Sequence, residues 1–377
     1  MSYSENKKIA IVHEWFDTYA GSERVVEQML EVFPEADLYA LVDFVPPQQR
    51  SFIKNKKVTT TFIQKLPFTR KYFRNYLPLF PYAIEQLDLR KYDIIISSSH
   101  AIAKGVLTNG EQLHICYCHS PMRYAWDLYH QYIEDNGLKK GLKGAFVKWV
   151  LHKIRIWDQS GAHRVNHYIA NSHYISRRIQ KIYGRSSAVI FPPADTIKFS
   201  PSSSRGDYYF AAARMVPYKK LDLIADAFSK MPDKQLIIAG NGEQLEKIRS
   251  NSAKNIVIKD HLSHHEFVDH LRSAKAFVYA AEEDFGIVMA EAQAAGIPVI
   301  AFKKGGASDI IINEKTGVLF DEQTVASLIQ GVDKFETLSF DAASISAHAL
   351  QFSASVFREK LRNHVEECCR EFYNLSS

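Results

Sequence analysis

Short runs of β-branched and apolar residues alternate with helix-like segments along the chain, and this alternation restricts the fold more than any other feature. In the first half the runs are KIAIVH (8–13), DIIISSS (93–99), LHICYCH (113–119), HYIANS (167–172) and SAVIFPP (187–193). After residue 205 the alternation restarts with DYYFAAAR (207–214), KQLIIAG (234–240), NIVIKD (255–260), KAFVYAA (275–281) and IPVIAF (297–302). Strands that alternate with helices form parallel sheets covered by helices, so the sequence predicts an α/β fold.

A segment rich in proline and serine, FPPADTIKFSPSSSRGD (191–207), separates the two series. It has the composition of a linker, and 377 residues are enough for two domains with separate cores. We therefore predict one Rossmann-like domain over residues 1–190 and a second over 191–357. The last helix-like segment, about 358–377, follows the second series and is expected to pack back on the first domain.

The carboxyl ends of the predicted strands carry most of the candidate functional residues. Open α/β sheets bind ligands beyond these ends, so two such domains facing each other would enclose a central cleft. The candidates at strand ends are His13 to Glu23, His100, His119, Arg214, Gly240 to Gly242 and Glu283.

Composition and charge exclude several classes of protein. With 46% hydrophobic residues the chain is expected to fold rather than remain disordered. It has no run of about 18 uncharged apolar residues, and its first residues, MSYSENKK, lack the apolar stretch of a secretory signal, so we expect a cytoplasmic protein. The formal net charge is +5, and residues 51–160 hold 17 basic against 8 acidic residues. The basic character therefore belongs to the first predicted domain.

The segment AAARMVPYKKLDLIADAF (211–228) predicts an anion site. Arg214 ends a strand, and Lys219 is expected to open the helix that follows. A strand end, a helix N-terminus and two fixed cations suit a diphosphate. The alternative is a solvated basic helix start.

Two glycines, Gly240 and Gly242, lie between a predicted strand end and the next helix. Glycine at such a place permits close approach of the backbone to a ligand. An ordinary tight turn explains the same pair.

The stretch EEDFGIVMAE (282–291) places Glu283 just past a strand. A helix starting near Phe285 would offer the N–H groups of Phe285, Gly286 and Ile287, and Gly286 would leave room for a ligand. A carboxylate beside N–H donors can bind sugar hydroxyls, and Glu291 could hold a second pair of hydroxyls. The alternative is a carboxylate that only complements the helix dipole, with Glu291 on the surface.

These elements occur together and in order, and they resemble a known family. RMVPYKKLD, AGNGEQL and EEDFGIVMAEAQAAGIPVIA resemble the carboxyl-terminal domain of the retaining glycosyltransferases of family 4, with an E-x7-E element at Glu283 and Glu291. HEWFDTYAGSERVVEQML (13–30), YCHSPMRYAWD (117–127), IANSHYISRRI (169–179) and FPPADTIKF (191–199) most resemble bacterial GDP-mannose-dependent mannosyltransferases of O-antigen and exopolysaccharide assembly. The resemblance covers nearly the whole chain.

The resemblance implies a GT-B fold, with an acceptor-binding domain over 1–190 and a nucleotide-sugar donor domain over 191–357. It implies that Arg214 and Lys219 bind the donor diphosphate, that Glu283 holds the hexose and that His119 lies beside the transferred sugar. The residues then expected to be catalytic are His119, Arg214, Lys219 and Glu283. The residues expected to bind the donor are Gly21, Arg214, Lys219, Gly242, Leu262, Glu283, Phe285, Gly286, Ile287 and Glu291. Lys220 and Ala20 stand where many family members have glycine.

The chemistry of sugar transfer agrees with this assignment, because breaking a sugar–phosphate bond develops negative charge on the diphosphate. Cations fixed at its oxygens stabilise the transition state more than the ground state. We therefore expect no metal ion and no cofactor.

The predicted function is transfer of an α-mannosyl unit from GDP-mannose, with retention, to a lipid-linked surface-polysaccharide acceptor. Two alternatives keep the fold: use of another nucleotide sugar, such as a UDP- or dTDP-hexose, or nucleotide-sugar 2-epimerisation. A third is a basic module that binds nucleic acid, but the aromatic residues of the basic segments suit an interfacial helix better than a base-stacking platform. We expect no nucleic-acid partner.

The basic half contains two segments that predict peripheral contact with an anionic membrane on the cytoplasmic face. GLKKGLKGAFVKWVLHKIRIW (137–157) has apolar residues at helical spacing among lysines and arginines. Its stripe consists of Leu142, Phe146, Trp149, Val150, Ile154 and Trp157. The second segment, IQKLPFTRKYFRNYLPLF (63–80), interleaves aromatic and basic residues. The alternative is that both stripes are ordinary core.

Overall fold

The structure is a computed structural model that describes residues 7–201 and 205–374. These form two compact units: unit 1 holds the described residues up to Phe191 together with those from Phe357 onward, and unit 2 holds Pro192–Val356. The predictions made for residues 1–6, for part of the linker (202–204) and for the end of the last helix (375–377) fall outside the described residues.

Unit 1 is built on a seven-stranded sheet in the order β3-β2-β1-β4-β5-β6-β7, in which all pairs are parallel. Its strands are β1 (Ile9–His13), β2 (Asp37–Ala40), β3 (Val58–Thr60), β4 (Ile94–Ser99), β5 (Leu113–Cys118), β6 (His167–Ala170) and β7 (Ser187–Val189). β1 pairs with β2 on one side and with β4 on the other, so the strand order reverses at β1. Such a reversal opens a crevice at the carboxyl ends of the two central strands.

The helices of unit 1 cover this sheet. They are α1 (Gly21–Val32), α2 (Thr69–Tyr72), α3 (Phe80–Glu85), α4 (Tyr129–Asp135), α5 (Gly141–Gly161) and α6 (His173–Tyr183). Short 3₁₀ turns occupy Pro47–Ile53, Phe62–Lys65, Phe73–Leu79, Ala103–Gly105 and Ala162–Arg164. The segment 63–80 is therefore a series of short turns, not one helix, because Pro67 and Pro78 interrupt it.

Unit 2 repeats the pattern with a six-stranded parallel sheet in the order β10-β9-β8-β11-β12-β13. Its strands are β8 (Tyr208–Ala212), β9 (Gln235–Ala239), β10 (Ile256–Lys259), β11 (Ala276–Tyr279), β12 (Val299–Phe302) and β13 (Gly317–Phe320). Its helices are α7 (Leu221–Phe228), α8 (Leu245–Asn251), α9 (His264–Ser273), α10 (Ile287–Ala294), α11 (Ala307–Ile310), α12 (Val325–Glu336) and α13 (Ala342–Ala349). The 3₁₀ turns of this unit are Pro217–Lys219 and Leu350–Phe352.

The last helix, α14 (Ala354–Asn374), begins at the end of unit 2 and packs in unit 1. Its buried residues recur at helical spacing and join the hydrophobic core formed by α1 and the strands. These residues are Phe357, Leu361, Val365, Cys368 and Cys369. The ring of Phe357 lies 5.8 Å from that of Tyr117 in β5, centroid to centroid.

The predicted fold class is confirmed, since both units are Rossmann-like α/β domains. The sequence pattern missed only short strands, namely β2, β3 and β13. In the described part of the chain, no helix combines the length and the hydropathy needed to cross a membrane.

Candidate active site

The crevice of unit 2 lies where β8 separates β9 from β11. Arg214 follows the end of β8, and Glu283 follows the end of β11. β8 and β11 are adjacent, with Phe210 opposite Phe277. The sheet therefore brings two residues that are 69 positions apart in the sequence to neighbouring strand ends.

Lys219, Tyr279 and Glu283 form a compact hydrogen-bonded group. The Lys219 Nζ donates to Glu283 Oε1 and, at 3.3 Å, to the Tyr279 hydroxyl. The Tyr279 hydroxyl donates to Glu283 Oε1 at 3.0 Å. The side chains of Lys219 and Glu283 are 18% and 15% exposed, so the ion pair is held at a partly buried position that a polar ligand can still reach.

Lys219 does not open the helix, as the sequence predicts, but ends the 3₁₀ turn Pro217–Lys219. Lys220 follows with φ of 56°, and α7 begins at Leu221. The left-handed conformation of Lys220 is the one that glycine adopts most readily, which accounts for the glycine that many family members have there. Arg214 is exposed, and its guanidinium lies 3.4 Å from the Tyr218 hydroxyl.

Gly240 and Gly242 allow the loop after β9 to lie against the loop that carries Arg214. Their φ values are 144° and 154°, and a Cβ would lie 1.9 Å from the carbonyl oxygen of Ala213 and 2.4 Å from that of Met215. The Met215 N–H also donates to the carbonyl of Asn241 at 2.9 Å. The two glycines therefore let the loop after β9 approach the backbone of the Arg214 loop, whereas the sequence predicts an approach to a ligand.

The loop of Glu283 is supported from behind by a glycine pair that the sequence analysis missed. The Gly306 N–H donates to the Glu283 carbonyl at 2.9 Å. A Cβ on Gly305 would lie 2.2 Å from that same oxygen. The signal for this support is the KKGG turn after the IPVIAF strand, and the signal for Tyr279 is a hydroxyl at the end of KAFVYAA.

The helix after Glu283 begins later than predicted. Gly286 has a φ of 93° and cannot be helical, so α10 begins at Ile287 rather than near Phe285. Phe285 is 3% exposed, and its ring lies 5.6 Å from that of Phe352. Glu291 is 6% exposed and lies within α10, so it is not the surface residue of the alternative interpretation.

A pocket of about 740 Å³ opens at these strand ends. Its lining residues are Ala212, Ala213, Arg214, Lys219, Ala239, Gly240, Asn241, Asp260, His261, Leu262, His264, Phe267, Tyr279 and Val288. Glu283 binds two residues of this lining, Lys219 and Tyr279. Of the residues predicted to bind the donor in unit 2, Arg214, Lys219 and Leu262 belong to the lining. The others do not, namely Gly242, Glu283, Phe285, Gly286, Ile287 and Glu291.

Unit 1 has a second polar group at the equivalent place, where β1 separates β2 from β4. His13 and Ser98 are opposite each other in the β1–β4 pairing. Ser98 Oγ lies 3.1 Å from His13 Nδ1 and 2.8 Å from Nε2 of His119, which follows β5. His13 Nε2 lies 3.3 Å from Glu23 Oε1. Four residues from four elements thus form one chain of hydrogen bonds.

Burial and the nearby rings of His100 and His13 hold the pKa of His119 well below its ordinary value. The ring is therefore neutral at physiological pH. Gly21 is the first residue of α1, and the Ala20 N–H before it donates to Glu23 Oε2 at 3.0 Å. The predicted glycine loop is thus tied to the carboxylate that also binds His13.

Glu14 was missed as a separate feature. Its carboxylate is fully buried and accepts hydrogen bonds from the Ser99 hydroxyl and from the backbone N–H groups of residues 100–103. Burial raises the pKa of Glu14, but the charge of His100 and these N–H groups outweigh burial and hold it below its ordinary value. The only sequence signal was its place in HEWF at a strand end.

Among residues 7–201 and 205–374, no three His, Cys, Asp or Glu side chains are grouped so that they could hold a metal ion. The carboxylate of Glu283 is paired with Lys219 instead.

The chain is similar to several known proteins. Residues 19–198 match the family model Glycosyltransferase Family 4, and residues 194–351 match the model Glycosyl transferases group 1. Alr3699/HepE of Anabaena, solved in complex with UDP and glucose, is 15% identical, with a TM-score of 0.70 over 96% of this chain and 99% of that protein. This chain has the GT-B glycosyltransferase fold. Sucrose-phosphate synthase of Thermosynechococcus elongatus is similar to this GT-B chain at a TM-score of 0.69 and 15% identity, over 96% and 99% of the two chains.

Curated sequences match parts of the chain. The GT-B chain is 28% identical over 192 residues to the GDP-mannose-dependent alpha-(1-6)-phosphatidylinositol monomannoside mannosyltransferase of Mycolicibacterium smegmatis. The match covers 43% of this chain and 50% of that enzyme. The chain spans about half the length of the curated relatives it matches. Both family models and this relative are named as glycosyltransferases.

Proposed function

We propose that this chain is a glycosyltransferase that takes a mannosyl unit from GDP-mannose and transfers it, with retention, to a glycan or lipid-linked glycan. The observation that carries the proposal is the Arg214–Lys219–Tyr279–Glu283 group at the crevice of unit 2. Its pocket of about 740 Å³ has the size of sites that enclose nucleotide-like ligands.

The two cations of the pocket supply the chemistry that a sugar–phosphate bond needs. When the bond breaks, negative charge grows on the leaving diphosphate. Arg214, just after β8, and Lys219, at the end of the turn Pro217–Lys219, both line the pocket where we place that diphosphate. Because Glu283 and Tyr279 already hold Lys219, its charge needs little reorganisation during the reaction. Glu283 keeps a carboxylate at the same position, where it can accept hydrogen bonds from sugar hydroxyls.

We propose GDP-mannose as the donor from the name of a relative, and we place its base from the residues that line the pocket after β10. The curated mannosyltransferase is named as GDP-mannose-dependent, and residues 260–262 follow β10 and line the pocket beyond Gly240. We place the base near Leu262 and the diphosphate at Arg214 and Lys219. Alr3699/HepE was solved with UDP and glucose, so UDP-sugars are the main competing donors.

Unit 1 contributes the acceptor side of the reaction. His119 is the residue of this unit that we propose contacts the substrate, with Gly21 at the start of α1 nearby in the same unit. The exposed apolar and basic face of α5 supports a peripheral contact with an anionic membrane, as a lipid-linked acceptor requires.

Thermal shift with a panel of nucleotide sugars tests the donor. Ligand binding to the folded state stabilises it by mass action, so GDP-mannose should raise the Tm more than UDP-glucose or a dTDP-hexose. Lys219→Ala should lose most of this shift, while Lys220→Ala, its neighbour outside the pocket lining, should keep it. A larger shift with a UDP- or dTDP-sugar contradicts the donor assignment.

Transfer itself is tested with labelled GDP-mannose and a lipid extract as acceptor source, followed by NMR of the anomeric proton of the product. An α-linked mannosyl product supports retention, and a β-linked product contradicts it. Formation of a free epimerised nucleotide sugar without acceptor would identify an isomerase instead.

A further inference from the structure

The hydrogen bonds around Ser98 restrict one another, because a hydroxyl has a single proton. Ser98 Oγ lies within hydrogen-bond distance of two ring nitrogens, His13 Nδ1 at 3.1 Å and His119 Nε2 at 2.8 Å. Ser98 can donate to only one of them, so the other must carry the proton and donate to Ser98. Ser98 and His13 are fully buried, which keeps water from replacing either partner.

The direction of the chain is set at its other end by Glu23. Burial raises the pKa of this carboxyl, but its hydrogen bonds, which come from His13, the Ser22 hydroxyl and the Ala20 N–H among others, outweigh burial and hold the pKa below its ordinary value. Glu23 is therefore an acceptor, and His13 Nε2 must carry a proton to bind it. A neutral His13 then has its lone pair on Nδ1 and accepts from Ser98.

It follows that Ser98 must accept from His119. We propose that Glu23, His13 and Ser98 are positioning residues that set the tautomer of His119, so that its proton is on Nε2 and its Nδ1 is a hydrogen-bond acceptor whenever His13 is neutral. Nδ1 is the ring nitrogen outside this chain of hydrogen bonds, and His119 is partly exposed. The proposal concerns the site of the proposed function, where an Nδ1 lone pair would accept a hydrogen bond from a substrate hydroxyl.

Protonation of His13 reverses both hydrogen bonds of Ser98 and leaves the bond from His13 to Glu23 unchanged. A charged His13 donates from Nδ1 to Ser98, Ser98 donates to His119 Nε2, and the proton of a neutral His119 moves to Nδ1. The titratable groups that face His13 or His119 are Glu23 on α1, His100 after β4 and Tyr117 on β5. His100 in turn interacts with Glu14 after β1 and with Arg74. His13 thus decides whether His119 offers the substrate an acceptor or a donor.

The neighbouring serine provides a matched control. Ser97 precedes Ser98 on β4, is equally buried, and its Oγ lies 2.8 Å from Nε2 of another buried histidine, His114. Successive residues of a strand point to opposite faces, so Ser97→Ala removes the same kind of bond on the other face of the sheet.

The tautomer is measured directly by long-range ¹H–¹⁵N NMR of the histidine rings in the protein without ligand, with His119 assigned from the signals lost in His119→Asn. At pH 8 we expect the wild type to show His119 protonated on Nε2, Ser98→Ala to populate both tautomers, and Ser97→Ala to match the wild type. A His119 protonated on Nδ1 at pH 8, or a Ser98→Ala spectrum identical to the wild type, overturns the proposal. Because no substrate is used, this result is independent of whether the proposed transfer activity is correct.

Kinetics then tests the consequence. With the donor and acceptor identified, Ser98→Ala should lower kcat by roughly tenfold or more with little change in KM, because the misplaced proton affects the reacting complex more than binding. It should also alter the pH–rate profile, while Ser97→Ala leaves both unchanged. Equal losses in the two variants, or a change in KM alone, contradict a positioning role.

Discussion

The same three residue types, lysine, tyrosine and glutamate, meet twice in unit 2. At the carboxyl ends of β8 and β11, Lys219 and Tyr279 bind Glu283. At the amino ends of the same two strands, Tyr209 and Lys275 bind Glu336, with Lys275 Nζ at 2.9 Å. Because ligands bind α/β sheets at the carboxyl ends of the strands, we propose that the first group serves the chemistry and the second the stability of the unit.

This duplication gives a residue-scale prediction. Glu283→Gln should lower the rate of transfer by roughly 10²-fold. The substitution weakens the proposed contact to the sugar, and it removes the carboxylate charge that holds Lys219. Glu336→Gln removes the equivalent carboxylate outside the pocket and should leave the rate near that of the wild type. The rates are measured with saturating donor, and circular dichroism confirms that both variants fold.

The control also separates stability from function. Glu336→Gln is expected to lower the Tm, since its carboxylate holds both Lys275 and the Tyr209 hydroxyl. A Glu283→Gln variant with normal turnover would remove this residue from the site, whatever its Tm.

At the scale of single residues, the local sequence pattern predicts that Arg214 and Glu283 follow the ends of strands, and this placement is confirmed. Lys219 lies in the turn before α7 instead of opening that helix. The sequence does not predict which side chains the candidate residues of either unit contact. The contact between His13 and Ser98 depends on the register of β1 and β4, which are separated by 80 residues of chain. Local sequence carries no information on that register, so only the folded sheet reveals the chain from Glu23 to His119.

At the scale of elements, the turn that follows β4 depends on a single side chain, that of Glu14. The chain turns there from Ser99 into the 3₁₀ turn Ala103–Gly105, and four successive N–H groups, those of residues 100–103, point at Glu14. A buried turn must satisfy these donors, and one carboxylate oxygen accepts all four. The turn also carries His100, which faces His119 with ring centroids 6.4 Å apart.

We predict that Glu14→Gln destabilises unit 1 at pH 7 by about 2–4 kcal/mol, because an uncharged amide is a weaker acceptor for these donors and its NH₂ group cannot accept the Ile102 N–H that now reaches Oε2. All four tryptophans, Trp15, Trp126, Trp149 and Trp157, lie in unit 1, so urea unfolding followed by tryptophan fluorescence reports on this unit. Glu111→Gln, an exposed glutamate of the same unit, is the matched control and should change little.

The difference should depend on pH in a definite direction. The folded pKa of Glu14 is lowered, so its stabilisation is present above the unfolded pKa of about 4.3 and is lost as the pH falls through the folded value. The wild type and Glu14→Gln should therefore converge in stability as the pH is lowered below 4. A difference that grows on acidification would contradict this role of the carboxylate.

Helix and strand bounds show what periodicity alone can predict for elements. Long apolar runs such as IAIVH were found as strands, whereas the shift of α10 to Ile287 follows from one backbone angle at Gly286. The predicted apolar stripe of α5 was only partly right. Val150 and Ile154 are 6% and 3% exposed and belong to the core, as the alternative interpretation held, while Leu142 and Phe146 are exposed. A spacing pattern cannot separate two adjacent faces of one helix when both are apolar.

For the molecule as a whole, the uneven distribution of charge and of exposed apolar surface sets unit 1 apart. Leu142, Phe146 and Trp149 are 92%, 57% and 56% exposed at positions i, i+4 and i+7 of α5. Lys153 and Ile156 continue the same stripe on exposed positions. Exposed Phe68 and Tyr72 add to the apolar surface of the unit, and Leu77, from the segment that follows them, packs on the same small core cluster as Val147 of α5. Large apolar side chains rimmed by lysines are typical of a surface that meets a membrane interface.

We therefore predict that the protein sediments with vesicles containing phosphatidylserine at low salt and is released as the salt concentration rises. Lys139, Lys140 and Lys143 are all exposed at the start of α5, and each basic residue near an anionic surface contributes roughly 1 kcal/mol, so replacing the three with Glu should reduce binding by at least 100-fold. Replacing Phe146 and Trp149 with Ser should weaken binding without removing its salt dependence, because apolar insertion and charge act separately.

The matched control places Glu at three exposed lysines of unit 2, Lys230, Lys254 and Lys315, which changes the net charge equally and should leave most of the binding intact. If the control variant loses as much binding as the α5 variant, net charge rather than α5 governs the interaction, and if the wild type stays in the supernatant at low salt, the acceptor is a soluble glycan.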